Sequence, residues 1–171
     1  PRDLDADVAA EISTLAHTMS WVDYFVDKER MLLDCLLELY AGETSSYALA
    51  ESRGTASVGF GFMTFGAHRL ARRYHARAMA IGQRTGHPAA IAFSWLSQGF
   101  VDFYDGCWDE ADSRLGKAAQ VYRESGDLHR WGAAALMQAF VVRARGDLAA
   151  CRAIGEDLIR GSLRIDGRIV D

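Results

Sequence analysis

Residues 99–111 read GFVDFYDGCWDEA, and the same pattern stands forty positions earlier as GFGFMTFGAHRLA (59–71) and forty positions later as AFVVRARGDLAAC (139–151). A phenylalanine at the second position, a glycine at the eighth and a small residue at the thirteenth are common to all three segments. Self-similarity at a period of about 20–50 residues is the signature of a repeat array. The interval therefore predicts a scaffold of repeated units and argues against a catalytic pocket.

Each forty-residue unit divides into two helical stretches that meet near a glycine. The six expected helices cover 45–65, 68–85, 88–104, 108–125, 128–145 and 148–163. Pro88 at a first helical position and Gly86 just past a helix end are typical helix boundaries. The Gly-Asp pairs at 126–127 and 146–147 predict a left-handed helix end followed by an N-cap.

The expected fold is an all-α, right-handed solenoid of antiparallel helical hairpins with a period of about forty residues. Residues 1–44, with helices over 4–22 and 27–40, are expected to form a degenerate or capping helix pair. Three hairpins should follow at 45–86, 87–126 and 127–163. The tail, 164–171, is expected to open a truncated further repeat.

The small residues of the middle unit have a recognisable spacing. Gly99 stands twelve positions before Ala111, and Ala118 follows seven positions further on. This pattern resembles the tetratricopeptide repeat (TPR), although the forty-residue period exceeds that family's usual thirty-four. The segments GCWDEA and SGDLHRW also resemble the repeat arrays of large bacterial signalling ATPases fused to class III adenylyl cyclase or LuxR-type domains.

These resemblances imply a non-catalytic protein-interaction or regulatory segment of a larger bacterial signalling or transcription-regulatory protein. They also imply a concave groove lined by the first helix of each hairpin. Its residues would be Arg53, Phe60, Met63, Phe93, Leu96, Phe100, Phe103, Tyr104, Leu136, Phe140 and Arg143. Aromatic anchors with a few arginines suit a protein or peptide, including another domain of the same parent chain. The alternative is that Phe60, Phe100 and Phe140 lie in the core between repeats.

Charge is distributed unevenly along a chain whose net charge is −4. Residues 3–38 carry nine acids and two bases, whereas 68–87 carry five arginines and no acid. Arg69, Arg73 and Arg77 step by four along one stripe, a candidate basic contact surface. The negative overall charge argues against nucleic acid. The acidic and basic helices are expected to complement each other within the array, or between two copies in a homo-oligomer.

No residue pattern indicates catalysis, a cofactor or a metal ion. The sequence has no G-x-S-x-G elbow, and the glycines of GFGF (59–62) lack the Lys-Ser/Thr of a phosphate loop. His68 and His75 would lie about 10 Å apart along a helix, too far to share a metal. We therefore expect no enzyme. The remaining alternative is a sensor that holds a small effector between Phe93, Phe100, Tyr104 and Arg143.

Localisation follows from two features of the sequence. Three cysteines without a CxxC spacing suit a reducing compartment. No apolar run approaches eighteen residues, so no membrane span is expected. The sequence therefore predicts a cytoplasmic protein.

Overall fold

The structure is a computed structural model that describes residues 4–45 and 47–165, with side chains up to 161. This part of the chain consists of α-helices and short connections, without β-strands. The helices are α1 (Ala6–Val26), α2 (Lys28–Glu43), α3 (Ala48–Thr64), α4 (His68–Thr85), α5 (Pro88–Tyr104), α6 (Trp108–Ser125), α7 (Leu128–Ala144) and α8 (Leu148–Ile165).

The chain divides into two compact units, Pro1–Ser97 and Gln98–Asp171. In the first unit α1 packs on α2, α2 on α3 and α3 on α4, and α1 also touches α3. In the second unit α6 packs on α7 and α7 on α8. Connections of one to four residues make such neighbours antiparallel. The predicted all-α fold of successive helical hairpins is confirmed, and the packing of consecutive helices is consistent with a helical solenoid.

The predicted helices lie close to the observed ones. α4, α5 and α6 begin and end at the predicted residues, whereas α1 and α2 run on to Val26 and Glu43. In the predicted tail, Arg164 and Ile165 instead continue α8, and residues 166–171 lie outside the described part of the chain. The division into 1–44, 45–163 and 164–171 stays a prediction.

Glycines in the left-handed region mark the helix junctions from α3 onward. Their φ angles lie between 66° and 84°, and they recur every twenty residues, at Gly66, Gly86, Gly106, Gly126 and Gly146. At Gly126 the amide donates to Arg123 O, and the next amide, of Asp127, donates to Tyr122 O at 2.9 Å. This pair of bonds is a Schellman ending, which requires a positive φ that glycine adopts without strain. The forty-residue interval in the sequence therefore spans two successive helix junctions.

Aspartates begin several of the helices. Asp5, Asp27 and Asp127 accept hydrogen bonds from backbone amides in the first turns of α1, α2 and α7. Asp147 accepts from the Ala150 amide at 2.9 Å, at the start of α8. The N-caps predicted at 127 and 147 are therefore confirmed, because each carboxylate satisfies an amide that has no partner within its helix.

Small residues allow the helices to approach closely. A Cβ on Gly42 would lie 2.5 Å from Glu51 Cα, and one on Gly54 would lie 2.6 Å from Leu39 Cα, so α2 and α3 meet backbone to backbone. In the second unit, a Cβ on Gly99 would lie 2.6 Å from Leu115 Cγ. The buried face of α6 consists of Ala111, Leu115, Ala118 and Tyr122.

Candidate functional site

The eleven predicted groove residues differ widely in exposure. Four are buried: Arg53, Met63, Phe93 and Leu96. Phe60, Phe100 and Phe103 are half-buried, and Tyr104, Leu136, Phe140 and Arg143 are exposed. The structure therefore places the first four in the interior, where they offer almost no surface to a partner. The groove itself stays a prediction.

The three phenylalanines of the repeat also differ from one another. In the first unit, Phe60 packs against the buried cluster of Met31, Cys35, Leu39 and Val58, and its ring centroid lies 5.4 Å from that of Tyr24. In the second unit, Phe140 is 42% exposed. The same repeat position is thus half-buried against a core cluster in one hairpin and open to solvent in another.

The predicted basic stripe lies on the surface of α4, where Arg69, Arg73 and Arg77 are all exposed. Arg77 Nη2 donates to Glu43 Oε1 at 2.6 Å, from α4 to α2. From the same helix, Arg84 Nη2 donates to Glu51 Oε2 of α3 at 3.4 Å. Part of the basic helix therefore complements acids of its own unit. Such exposed pairs contribute at most about 1 kcal/mol each.

A buried charged cluster that was not predicted from the sequence joins α1, α2 and α3. The side chain of Glu38, on α2, has no exposed surface. Arg53, on α3, donates through Nε to Glu38 Oε1 at 2.5 Å and through Nη2 to Ser13 Oγ at 2.6 Å. On the other side, His17 Nδ1 of α1 lies 3.5 Å from Glu38 Oε2. One carboxylate therefore links three helices.

Burial alone would raise the pKa of Glu38, because water that stabilises its charge is excluded. The hydrogen bond and charge of His17, and then the guanidinium of Arg53, outweigh burial and hold the pKa of Glu38 below its ordinary value of 4.5. A signal for this cluster was present in the sequence: an acid stands between Cys35 and Leu39 in the apolar stripe of α2. Acids rarely occupy such positions unless they are paired.

The glycines of GFGF lie inside α3 and serve packing. A Cβ on Gly59 would lie 3.0 Å from the ring of His75, and one on Gly61 would lie 2.9 Å from Leu32 Cδ1. Burial lowers the pKa of His75 to about 4, so its ring is neutral at physiological pH. Within the described residues, no group of His, Cys, Asp or Glu side chains could hold a metal ion. None of the described helices is long and apolar enough to cross a membrane.

α1 carries a stripe of apolar side chains on the outside. Its buried face consists of small and polar residues: Ala9, Ser13, Ala16, His17, Ser20 and Asp23. A second stripe follows the spacing 4-3-4-3-4 and consists of Val8, Ile12, Leu15, Met19, Val22 and Val26. Ile12 is half-buried, and the other five are 45–77% exposed. This arrangement is the reverse of the usual amphipathic helix, whose apolar stripe faces the core.

α2 adds a second exposed apolar patch on the same side of the hairpin. Its residues are Leu33, Leu36, Leu37 and Tyr40, each 43–64% exposed. Leu39 and Gly42 face α3, and at 100° per residue this patch is centred on the opposite side of α2. On α1, Tyr24 meets Phe60 of α3, and the apolar stripe is again on the opposite side. We call these ten α1 and α2 residues the end face.

The fold defines the class of protein as an all-α array of helical hairpins. No protein-family model and no curated protein sequence matches the chain. Among solved structures, the chain is similar to BtubC (BKLC) from P. vanneervenii. The TM-score is 0.67 at 18% sequence identity, and the match covers 98% of this chain and 68% of that one. The similarity supports a helical-repeat-like fold, while membership of the TPR type stays a prediction.

One prediction is corrected by this comparison. The sequence predicted that the chain is not an enzyme, and that prediction is withdrawn. The similarity to BtubC is a similarity of helical folds, and it assigns neither the presence nor the absence of catalysis to this chain.

Proposed function

We propose that this chain is a TPR-like protein-interaction segment of a larger bacterial signalling or transcription-regulatory protein, located in the cytoplasm. The small residues that carry the resemblance support the repeat type, because Gly99, Ala111 and Ala118 are all buried at helix contacts. The observation that carries the proposed interaction is the end face. Its partner would be an amphipathic α-helix.

The size of the end face supports a role in binding. Nine of its ten side chains are at least 43% exposed, so most of the end face is open to solvent. Soluble monomers rarely leave contiguous apolar patches larger than a few hundred Å². A hairpin face that stays in water is expected to carry polar side chains, as the outer faces of capping repeats do. The end face has the apolar composition that is typical of a surface buried against a partner.

The spacing of the α1 stripe supports a helical partner. Alternating steps of four and three residues average 3.5 per turn, which is the period of the contact line between two helices packed at about 20°. From Ser13 to Val26, the one acidic or basic residue apart from His17 is Asp23, and both of these side chains are buried. A helix that packs along this part of the stripe would therefore displace water mainly from apolar surface, because the exposed acids Asp7 and Glu11 lie only at the start of α1.

The proposal is tested with a labelled, designed helix that matches α1 in length and carries leucines at the 4-3 spacing. Fluorescence anisotropy should show micromolar binding to the protein, and a scrambled peptide of the same composition should not bind. Leu15→Glu should weaken binding at least tenfold, because it places a charge in the middle of the stripe. The matched control is Leu148→Glu on α8, since Leu148 is exposed to the same degree (67% against 65%).

Two results would contradict the proposal. The first is equal binding of the designed and scrambled peptides, which would show that composition and not the stripe is recognised. The second is equal weakening by Leu15→Glu and Leu148→Glu, which would place the interaction away from the end face.

A further inference from the structure

We infer that the end face binds the end face of a second copy of this chain, with the two α1 helices antiparallel about a two-fold axis. This inference rests on the proposed function, because it names the partner of the same surface. It follows from the symmetry of the α1 stripe, from the position of the charges along α1 and from the position of α2.

The α1 stripe is complementary to itself when one copy is reversed. A two-fold axis at the level of His17 brings residues whose numbers add up to 34 into the same layer. The layers are then Val8 with Val26, Ile12 with Val22, and Leu15 with Met19, each occurring twice. All six layers consist of apolar side chains only. Two identical α1 helices can therefore pack along the whole stripe.

The exposed charges favour the antiparallel arrangement. Asp7 and Glu11 are exposed near the start of α1, and the rest of the outer surface up to Val26 is uncharged. A parallel pair would bring these acids of the two copies side by side, where like charges repel. An antiparallel pair separates them to opposite ends of the contact and also opposes the two helix dipoles.

The same two-fold axis covers the apolar patch of α2. The edge of α1 that bears Asp23 faces α2, since Arg30 of α2 pairs with Asp23 at 3.4 Å. Antiparallel packing places this edge of both α1 helices on the same side. The two α2 helices, with Leu33, Leu37 and Tyr40, therefore lie on one side of the α1 pair. Four helices then form the contact, which can approach the roughly 800 Å² per partner of a standard interface.

Salt distinguishes this dimer from one held by opposite charges. Pairing of an acidic segment with the basic stripe of α4 would weaken as salt rises, because screening reduces attraction between exposed charges. Contact between two end faces is apolar, and both copies carry the acidic excess of residues 3–38. Screening reduces the repulsion between them, so added salt should leave the dimer unchanged or strengthen it.

The test is sedimentation velocity from 1 to 200 µM protein, at 50 and 500 mM NaCl. We expect a reversible dimer of twice the 18.8 kDa chain mass whose dissociation constant does not rise with salt. Leu15→Glu and, independently, Val22→Glu should raise that constant at least tenfold, and Leu148→Glu should leave it unchanged. Circular dichroism should show the same helix content in all variants, since each replaced side chain is at least 60% exposed.

Cysteine cross-linking tests the direction of the helices, in a background that carries Cys107→Ser. A mixture of Leu15→Cys and Met19→Cys copies should form a mixed disulfide dimer under mild oxidation by diamide. Leu15→Cys alone should not form one, because residue 15 of one copy faces residue 19 of the other. Cross-linking of Leu15→Cys alone with none in the mixed pair would indicate parallel helices and overturn the inference.

The outcomes separate this inference from the proposed function. A monomer at 200 µM that still binds the designed helix overturns the second copy as partner and leaves the proposed function standing. A dimer that is insensitive to Leu15→Glu and Val22→Glu overturns the inference, because another surface forms it. A monomer that binds no helix overturns both.

Discussion

The interior of the first unit carries a full negative charge at Glu38. Arg53 and His17 flank that carboxylate, and Ser13 accepts a second hydrogen bond from the guanidinium. A buried pair of this kind adds little net stability compared with apolar residues of the same size, but removal of one partner leaves a charge without compensation. The cluster therefore holds α1, α2 and α3 in one register.

Arg53→Met should lower the free energy of unfolding by about 3–5 kcal/mol, because Glu38 then keeps its charge in the interior without the guanidinium. The double variant Glu38→Met with Arg53→Met should recover most of that loss, since neither charge remains. Urea unfolding of Arg53→Met, Glu38→Met and the double variant measures the coupling between the two side chains. If the two single losses simply add up in the double variant, the residues are not coupled and this view of the cluster is wrong.

The pKa of a second carboxyl, that of Asp34 on α2, is shifted upward, whereas the pKa of Glu38 is shifted downward. Burial, and then the hydrogen bond and charge of Asp23, raise the pKa of Asp34 above its ordinary value of 3.8, partly offset by Arg30. A raised carboxyl pKa means that the folded state binds the proton more tightly. Stability from this group is therefore present below about pH 4 and is lost as the pH rises through the raised pKa.

Asp34→Asn should accordingly raise the melting temperature at pH 7 and leave it nearly unchanged at pH 3.5, where the wild-type carboxyl is protonated. Thermal unfolding at both pH values measures the difference. Glu29→Gln, an exposed change on the same helix, is the control for the loss of one acid. An equal gain at both pH values would contradict the assignment.

At the scale of helices, replacing a junction glycine and replacing a glycine inside a helix by alanine should change the free energy of unfolding in opposite directions. Gly106 and Gly155 both have nothing within 4 Å of an added Cβ, so neither substitution meets a neighbour. Gly106 has a φ of 79°, whereas Gly155 lies inside α8. Gly106→Ala should cost about 1–2 kcal/mol through backbone strain, and Gly155→Ala should stabilise by about 0.5–1 kcal/mol.

Chemical denaturation of these two alanine variants measures the contrast directly. Gly106→Val should be at least as destabilising as Gly106→Ala, because a branched side chain tolerates the left-handed region less well. An unchanged stability in Gly106→Ala would show that the α5–α6 junction does not depend on its left-handed residue.

At the scale of the whole molecule, the prediction concerns association. The first unit exposes an apolar surface on α1 and α2, and large exposed apolar patches are typical of interaction sites. The sedimentation and peptide experiments therefore examine one surface at two levels: whether it binds a helix, and whether that helix belongs to a second copy.

Much of this fold was predictable because its determinants are local. Gly126 followed by Asp127 specifies a helix end and the next N-cap without reference to the rest of the chain, and Pro88 specifies a start. The burial of Arg53 and Phe93 was not predictable from the sequence. Their expected place in the groove was carried over from a family whose repeat is shorter than forty residues. Both face the interior of the first unit instead, against Glu38 and His17.

The sequence by itself determined the helices and their junctions, because hydrogen bonding and backbone strain at a helix end depend on a few adjacent residues. Only the tertiary structure decided which stripe of α1 faces inward. The residues from Val8 to Val26 at 4-3 spacing read as a core stripe in any helix, yet they lie outside while Ala9, Ser13 and Ala16 lie inside. Periodicity predicts that one face of the helix is apolar, and only the packing of α1 against α2 and α3 shows that this face is exposed to solvent.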